Sequence, residues 1–202
     1  MGQYYRPCIL KKNWKLAKQP IAATACPYDY DNGAKLTEHS YIGNNFVSVV
    51  AQLLGGKYFG HPFVWCGDYA DSVKVRGKDC DLYTKANEYT YKYYHNATSY
   101  DTSKKYDKIR GMVEDEWKDF KYLINLTKKV YVKLPKYDKK QGKWRVHPLP
   151  LLTALGNGRG GGDYRLKNKK VGSWAFDRIG MSNDDKDIEG LKRVSGYFKL
   201  DD

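Results

Sequence analysis

The sequence predicts an α+β domain, a mainly antiparallel sheet carrying two or three helices. Three observations predict it. Short runs rich in Val, Ile, Tyr and Cys, bounded by Gly, Pro and Asn, recur along the chain at strand length. Two segments, about 45–54 and 81–94, instead repeat their apolar residues at helical spacing. No internal repeat or low-complexity linker divides the 202 residues, so a single globular domain over 1–202 is expected. Apolar residues make up 41% of the chain and aromatics 15%, enough to build a core and too many for a disordered chain.

The elements follow in order. Gln3 to Leu10 reads as a first strand, with Pro7 arguing for an edge or a bulge. Trp14 to Ala17 is expected to pair with it as a hairpin. Residues 26–33 form a turn by composition, closed by the Asn32-Gly33 dipeptide. Asn44 caps a helix from about Asn45 to Leu54, which Gly55-Gly56 ends. Its buried stripe is Phe46, Val49, Val50, Leu53 and Leu54. Phe63 to Cys66 is a short strand, and 81–94 a polar helix with Leu82, Ala86, Tyr89 and Tyr93 on one face. The stretch Lys104 to Arg110 is charged and exposed. Phe120 to Asn125 and Val130 to Leu134 make a hairpin. Trp144–His147, Val171–Ile179 and Val194–Leu200 complete the strand set.

Thirty-six Lys and Arg against 23 acidic residues give a formal net charge of +13, more than solubility needs. Such a field concentrates anions: nucleotides, nucleic acid or acidic proteins. The alternative is a lysine surface that only solvates the chain. The 19 tyrosines, against 6 phenylalanines, suit half-wet clefts because the ring buries while the hydroxyl keeps a polar partner. The apolar run at 46–54 is too short to span a bilayer, and the first residues lack a signal-peptide core. Cys8, Cys26, Cys66 and Cys80 form no CxxC pair. The expectation is a cytoplasmic protein with free thiols, no membrane contact, no metal and no cofactor.

Four segments carry polar chemistry. The run from His147 to Tyr164 holds five glycines within seven residues, Gly156, Gly158, Gly160, Gly161 and Gly162. Glycines let backbone N–H groups approach an anion, which Arg159 would clamp. The spacing matches neither a Walker loop nor a dinucleotide fingerprint, and a flexible surface loop is the competing reading. The block Lys35 to Asn44 crowds Lys35, Glu38, His39 and Ser40 ahead of a helix start. Glu38 and His39 would serve as acid and base if they met, although neighbours on a strand face opposite ways. Gly67-Asp68-Tyr69-Ala70 follows a strand end, where Asp68 is either functional or the cap of a turn. Tyr89 to His95 interleaves aromatics with lysine and suits base stacking, or else docks a helix. Asp71, Asp163 and Asp177 match no calcium loop, and His61, His95 and His147 make no zinc pair.

These blocks also carry a resemblance. Met1-Gly2-Gln3-Tyr4-Tyr5, Lys35 to Asn44, Gly67 to Ala70, His147 to Tyr164 and Val171-Gly172-Ser173-Trp174 with Asp177 occur in that order. The chain resembles an uncharacterised family of short phage, prophage and bacterial proteins with a GQYY start and an HPLPLLTxxGNGRGGGDY-like block. No activity comes with that family, so the resemblance implies a mobile-element setting and assigns no catalytic residue.

The resulting expectation is a binding protein that holds a nucleotide-like, phosphate-bearing ligand and sequesters a host nucleotide immune signal, with a homodimer expected by analogy with other sponges. Arg159 and the backbone of Gly160, Gly161 and Gly162 would hold phosphate, with Lys35 and Asn157 also among the ligand-binding residues. Tyr4, Tyr5, Tyr164 or Trp174 would stack on a base, and Asn44, Asp68 or Asp163 would read polar edges. The alternatives are a metal-independent phosphodiesterase or nucleotide hydrolase using His39, His147 and Glu38, a nucleic-acid-binding accessory protein, and an inhibitor of an acidic host protein.

Overall fold

Two apolar strands, flanked on both sides by other strands and covered on both faces, organise the molecule. The computed structural model describes residues 2–90, 120–135, 145–156 and 170–196. Among these residues lie four helices and ten strands, an antiparallel-rich α+β fold. The strands are β1 (Tyr5–Leu10), β2 (Ile21–Thr24), β3 (His61–Gly67), β4 (Val73–Val75), β5 (Lys78–Cys80), β6 (Tyr122–Asn125), β7 (Val130–Lys133), β8 (Ala154–Leu155), β9 (Arg178–Ser182) and β10 (Lys192–Arg193). The helices are α1 (Leu36–His39), α2 (Asn45–Gly55), α3 (Leu82–Thr90) and α4 (Pro148–Leu152). None is long and apolar enough to cross a membrane.

The main sheet runs β10-β7-β6-β9-β3-β1-β2, and β4 with β5 forms a separate hairpin. Along one side, β3 divides its pairing. His61 and Pro62 pair with β9, whereas Trp65 and Cys66 pair in parallel with β8. Its other side takes β1 over the register Tyr5↔Gly67 to Ile9↔Phe63.

Alternation along β1 and β3 sends apolar residues to both faces. Tyr5, Ile9, Phe63 and Trp65 pack beneath α1 and α2, against Leu36, Phe46, Val50 and Leu54. Cys8, Leu10, Val64 and Cys66 pack on the opposite face with Trp14, Val75, Leu82 and Ala86, under α3 and the β4–β5 hairpin. Each such side chain, fully buried, contributes about 1.5–3 kcal/mol. Asn44 accepts a hydrogen bond from the Val47 N–H at 3.1 Å and so caps α2.

Several elements differ from the sequence reading. Residues 14–17 are consecutive turns, with Trp14 N–H donating to Lys11 and Ala17 N–H to Trp14, and the partner of β1 is Ile21–Thr24. Pro7 sits in an interior strand without breaking a ladder bond. Its partner Trp65 turns its own N–H toward β8, donating to Thr153 at 2.8 Å, so position 7 is a non-hydrogen-bonded pair with β3. The block 35–44 contains α1 rather than a strand. Residues 170–176 are turns, and the strand there begins only at Arg178. Val146 makes a lone bridge to Tyr41, and the strand paired with β7 is Lys192–Arg193, with the Val194 N–H still donating to Tyr131 O at 2.8 Å; Trp144 and residues 197–200 lie outside the described residues. Lys104–Arg110 and Tyr91–His95 lie outside the described residues.

Candidate functional site

The C-terminal end of β3 gathers several of the polar segments around one buried amide. Gly67 ends the strand opposite Tyr5, and Gly156 follows β8 beside it. The space their missing side chains leave is filled by Gln3 and Tyr5. A Cβ at Gly67 would stand 2.5 Å from Gln3 Nε2, and one at Gly156 would meet the Tyr5 hydroxyl and lie 3.0 Å from Gln3 Nε2. Gln3 is wholly buried, yet neither its Nε2 nor its Oε1 has a hydrogen-bond partner among the described residues.

The segment before α2 closes over this point. The Tyr5 N–H donates to Ala34 O at 2.7 Å, which lays 33–35 against the start of β1. Glu38 reaches back to accept the Lys35 N–H at 2.9 Å and ion-pairs with Lys35 Nζ at 3.3 Å. That is the carboxylate half of a capping box, while the Glu38 N–H donates to the Lys35 backbone O at 2.9 Å, so Glu38 holds the turn.

His39 points inward. Its Nδ1 lies 3.0 Å from Gly33 O, which can only accept, so Nδ1 carries the proton and Nε2 presents a lone pair. The ring stacks on Trp65 at 5.4 Å and meets Phe46 edge-on at 5.2 Å. Burial lowers its pKa to about 4, against the opposing pull of the Gly33 carbonyl and the Glu38 charge. The imidazole is therefore neutral at pH 7. Nε2 of His39, the Ser40 hydroxyl and Nε1 of Trp65 are all buried without a hydrogen-bond partner among the described residues.

Two of these groups are in direct contact, and a third lies along the same strand face. His39 touches Trp65, and Trp65 stands on the same face of β3 as Gly67, whose open side Gln3 fills. An orphaned buried polar group costs about 1–3 kcal/mol, so four residues that carry one, two of them adjacent in the chain, are a heavy concentration.

The other expected site residues divide. Asp68 exchanges two hydrogen bonds with Tyr4: its N–H donates to Tyr4 O at 2.9 Å, and its Oδ1 accepts the Tyr4 N–H at 3.1 Å. It pins the N-terminal strand and leaves the Tyr4 ring 40% exposed. The Tyr5 ring is core, so only its hydroxyl reaches the site, and Trp174 is likewise buried in the core rather than open for stacking. Asn44 is engaged at both ends, capping α2 and donating through Nδ2 to Asn32 Oδ1. His147 caps α4 by accepting the Leu149 N–H at 3.2 Å, and burial lowers its pKa to about 3. Its own N–H donates to Ser40 O, tying α4 to the 35–44 block. Asp177 accepts from Asn125 Nδ2 at 2.8 Å. Asn157, Arg159, Gly160, Gly161, Gly162, Asp163 and Tyr164 lie outside the described residues.

The N-terminal strand, the 35–44 block, the Asp68 turn and the first glycine of the glycine-rich run thus come together. Ser40 belongs to the polar cluster of the 35–44 block, whereas Gln3 and Trp65 are not singled out by the sequence, where each reads as an ordinary strand residue. The one available signal is a lone glutamine ahead of an apolar strand. The four cysteines are free, and among the described residues no group of three or more His, Cys, Asp or Glu is placed to hold a metal. In comparisons with known proteins, no family model, no curated protein and no solved structure matches the chain.

Proposed function

We propose that the protein binds, without turning over, a small nucleotide-like molecule at the end of β3. The reading rests on the unpartnered Gln3 amide together with the His39 Nε2 lone pair, the Ser40 hydroxyl and the Trp65 N–H. Alternating donors and acceptors held in a dry site suit the edge of a heterocycle, and a ligand that completes them recovers their desolvation cost. The phosphate part of the ligand would fall to Arg159 and the glycine backbone, by the sequence argument, and to the protein's positive field. Binding is favoured over hydrolysis because both histidines named as bases are held neutral with depressed pKa, and His147 spends its lone pair as a helix cap. In the phage-type setting that the resemblance implies, such a protein would sequester a nucleotide signal, as a homodimer in the simplest arrangement.

A thermal-shift panel of linear and cyclic nucleotides, dinucleotides and ADP-ribose derivatives tests this, with mass spectrometry of ligand recovered after denaturation. A true ligand at about a hundred times its Kd adds about 2.7 kcal/mol, a rise of about 5–10 °C for a domain of this size. Gln3→Leu should abolish that shift while raising the ligand-free Tm, because it removes a buried amide that has no partner. Cleaved ligand would make the protein an enzyme. A panel with no hit, or a Gln3→Leu variant that keeps its shift, would sink the reading.

A further inference from the structure

On the opposite face of β1 and β3, the turn at 11–17 and the β4–β5 hairpin meet in a strongly cationic saddle. The Arg76 N–H donates to Lys15 O at 2.6 Å, joining the two. Lys12, Lys15, Lys18, Arg76 and Lys78 are exposed there, and none makes an ion pair among the described residues. The neighbouring carboxylates are already engaged. Asp79 pairs with Lys74 at 2.9 Å, Glu88 pairs with Lys85 at 2.6 Å, and Asp81 accepts from the Thr84 N–H and hydroxyl. Cations therefore outnumber the three carboxylates Asp79, Asp81 and Glu88 that share this surface.

Two open cavities flank the junction. One of about 590 Å³ is bordered by Lys18, Arg76, Lys78 and Lys85 together with Asp79, Asp81 and Glu88, and the other of about 570 Å³ by Trp14, Lys15, Lys74 and Phe176. Trp14 stacks on Phe176 at 5.4 Å and 15°, and Lys15 Nζ lies 5.6 Å from the Trp14 ring centroid. The aromatic pair is a rigid floor that carries a cation.

Backbone strain is an independent observation. Arg76 has φ 54° and Phe176 has φ 68°, the left-handed region that glycine or asparagine fills at least cost. Each costs about 1–2 kcal/mol, and each places its side chain on this saddle. In the two-residue turn Arg76-Gly77, both residues have positive φ, as a type I′ hairpin requires, and Asn-Gly is the favoured sequence there. Strain retained at two residues of one surface is a pointer to function.

We propose that this saddle binds the phosphate backbone of a nucleic acid, contacting phosphates without reading sequence. Its partner is a polyanion long enough to cross both cavities, so it is separate from the small-ligand site on the other face of the sheet. Five exposed cations carried by the turn and the adjoining hairpin fit repeated phosphates, whereas Trp14, 8% exposed, is too covered to stack on a base.

The test is fluorescence anisotropy with two labelled probes, an oligothymidylate and a duplex, each of about 20 nucleotides per strand. The single strand should bind with a log–log salt slope of about −3 to −4, and the duplex with a slope steeper by about one. Arg76→Gly removes one cation and relieves the strained φ. It should therefore leave Tm unchanged or raised, while the slope becomes shallower by about 0.7 on the single strand. The triple variant Lys12→Gln, Lys15→Gln, Lys18→Gln should weaken binding at about 50 mM salt by at least about tenfold. Binding that survives both variants undiminished would place it elsewhere on this basic chain and overturn the proposal. Binding to polyglutamate in place of either oligonucleotide, the mark of an acid-patterned protein surface, would overturn it too.

Discussion

His39 and His147 are the two residues whose chemistry sets how the fold responds to acid. Both have folded-state pKa values below the ordinary 6.5, about 4 and about 3, because burial disfavours the imidazolium. The unfolded chain binds these protons and the folded chain does not, so stability rises with pH across this window. It is intact above about pH 6.5, falls as the pH drops below that value, and levels only when the folded imidazoles themselves protonate. His147→Asn keeps a capping side chain ahead of α4 but cannot titrate. In urea titrations the variant should lose about 2–3 kcal/mol less than the wild type between pH 7 and about pH 4.5. An equal loss in both would show that His147 carries its proton in the folded state. At this scale the sequence was informative about identity and silent about circumstance. His39 and His147 stand out as titratable residues near glycines, but nothing local shows that one is stacked on Trp65 and the other spent on a helix end. Gln3 escaped notice for the same reason, since its burial is a product of Gly67 and Gly156, both distant in the chain.

Among the elements, α2 was legible because three signals coincide in it: the Asn44 cap, the apolar stripe and the Gly55-Gly56 stop. Asn44→Ala should destabilise the protein by about 1–2 kcal/mol, measured by chemical denaturation, since it removes the cap and strands Asn32. Asn44→Asp keeps the acceptor for Val47 and should recover most of that loss. The β6–β7 hairpin was legible too, by alternation on either side of a polar turn. Other elements were not. β8 has two residues, too few to show a period, and exists because Trp65 and Cys66 have an open side there. Helix α4 contains Pro148 and Pro150, which argue for extended chain until one sees that both lie in the first turn, where no N–H is needed. The β4–β5 hairpin was hidden by its turn, because Arg76 occupies a position where asparagine or glycine is the expected sign.

For the molecule as a whole, the sheet separates two chemistries. The orphaned polar groups lie under α1 and α2, and the cationic saddle lies on the face that carries α3. Sites with no shared partner act additively, so Gln3→Leu should leave the salt slope on oligothymidylate unchanged. Arg76→Gly should likewise leave the nucleotide-induced thermal shift unchanged, and the double variant should show both losses at full size. A deficit shared between the two assays would mean that the sites communicate through β1 and β3. The divided pairing of β3 also has a consequence in time. Gly60 and Arg178, 118 residues apart in the chain, are joined by a hydrogen bond at the end of this strand. A ribosome adding about 5–20 residues per second therefore leaves one edge of the nascent sheet bare for about 6–24 s before β9 emerges. Throughout that interval the newborn chain offers an apolar strand edge to any neighbour able to take it. Its yield in a cell is thus set as much by how crowded and how well chaperoned that interval is as by the stability of the finished fold.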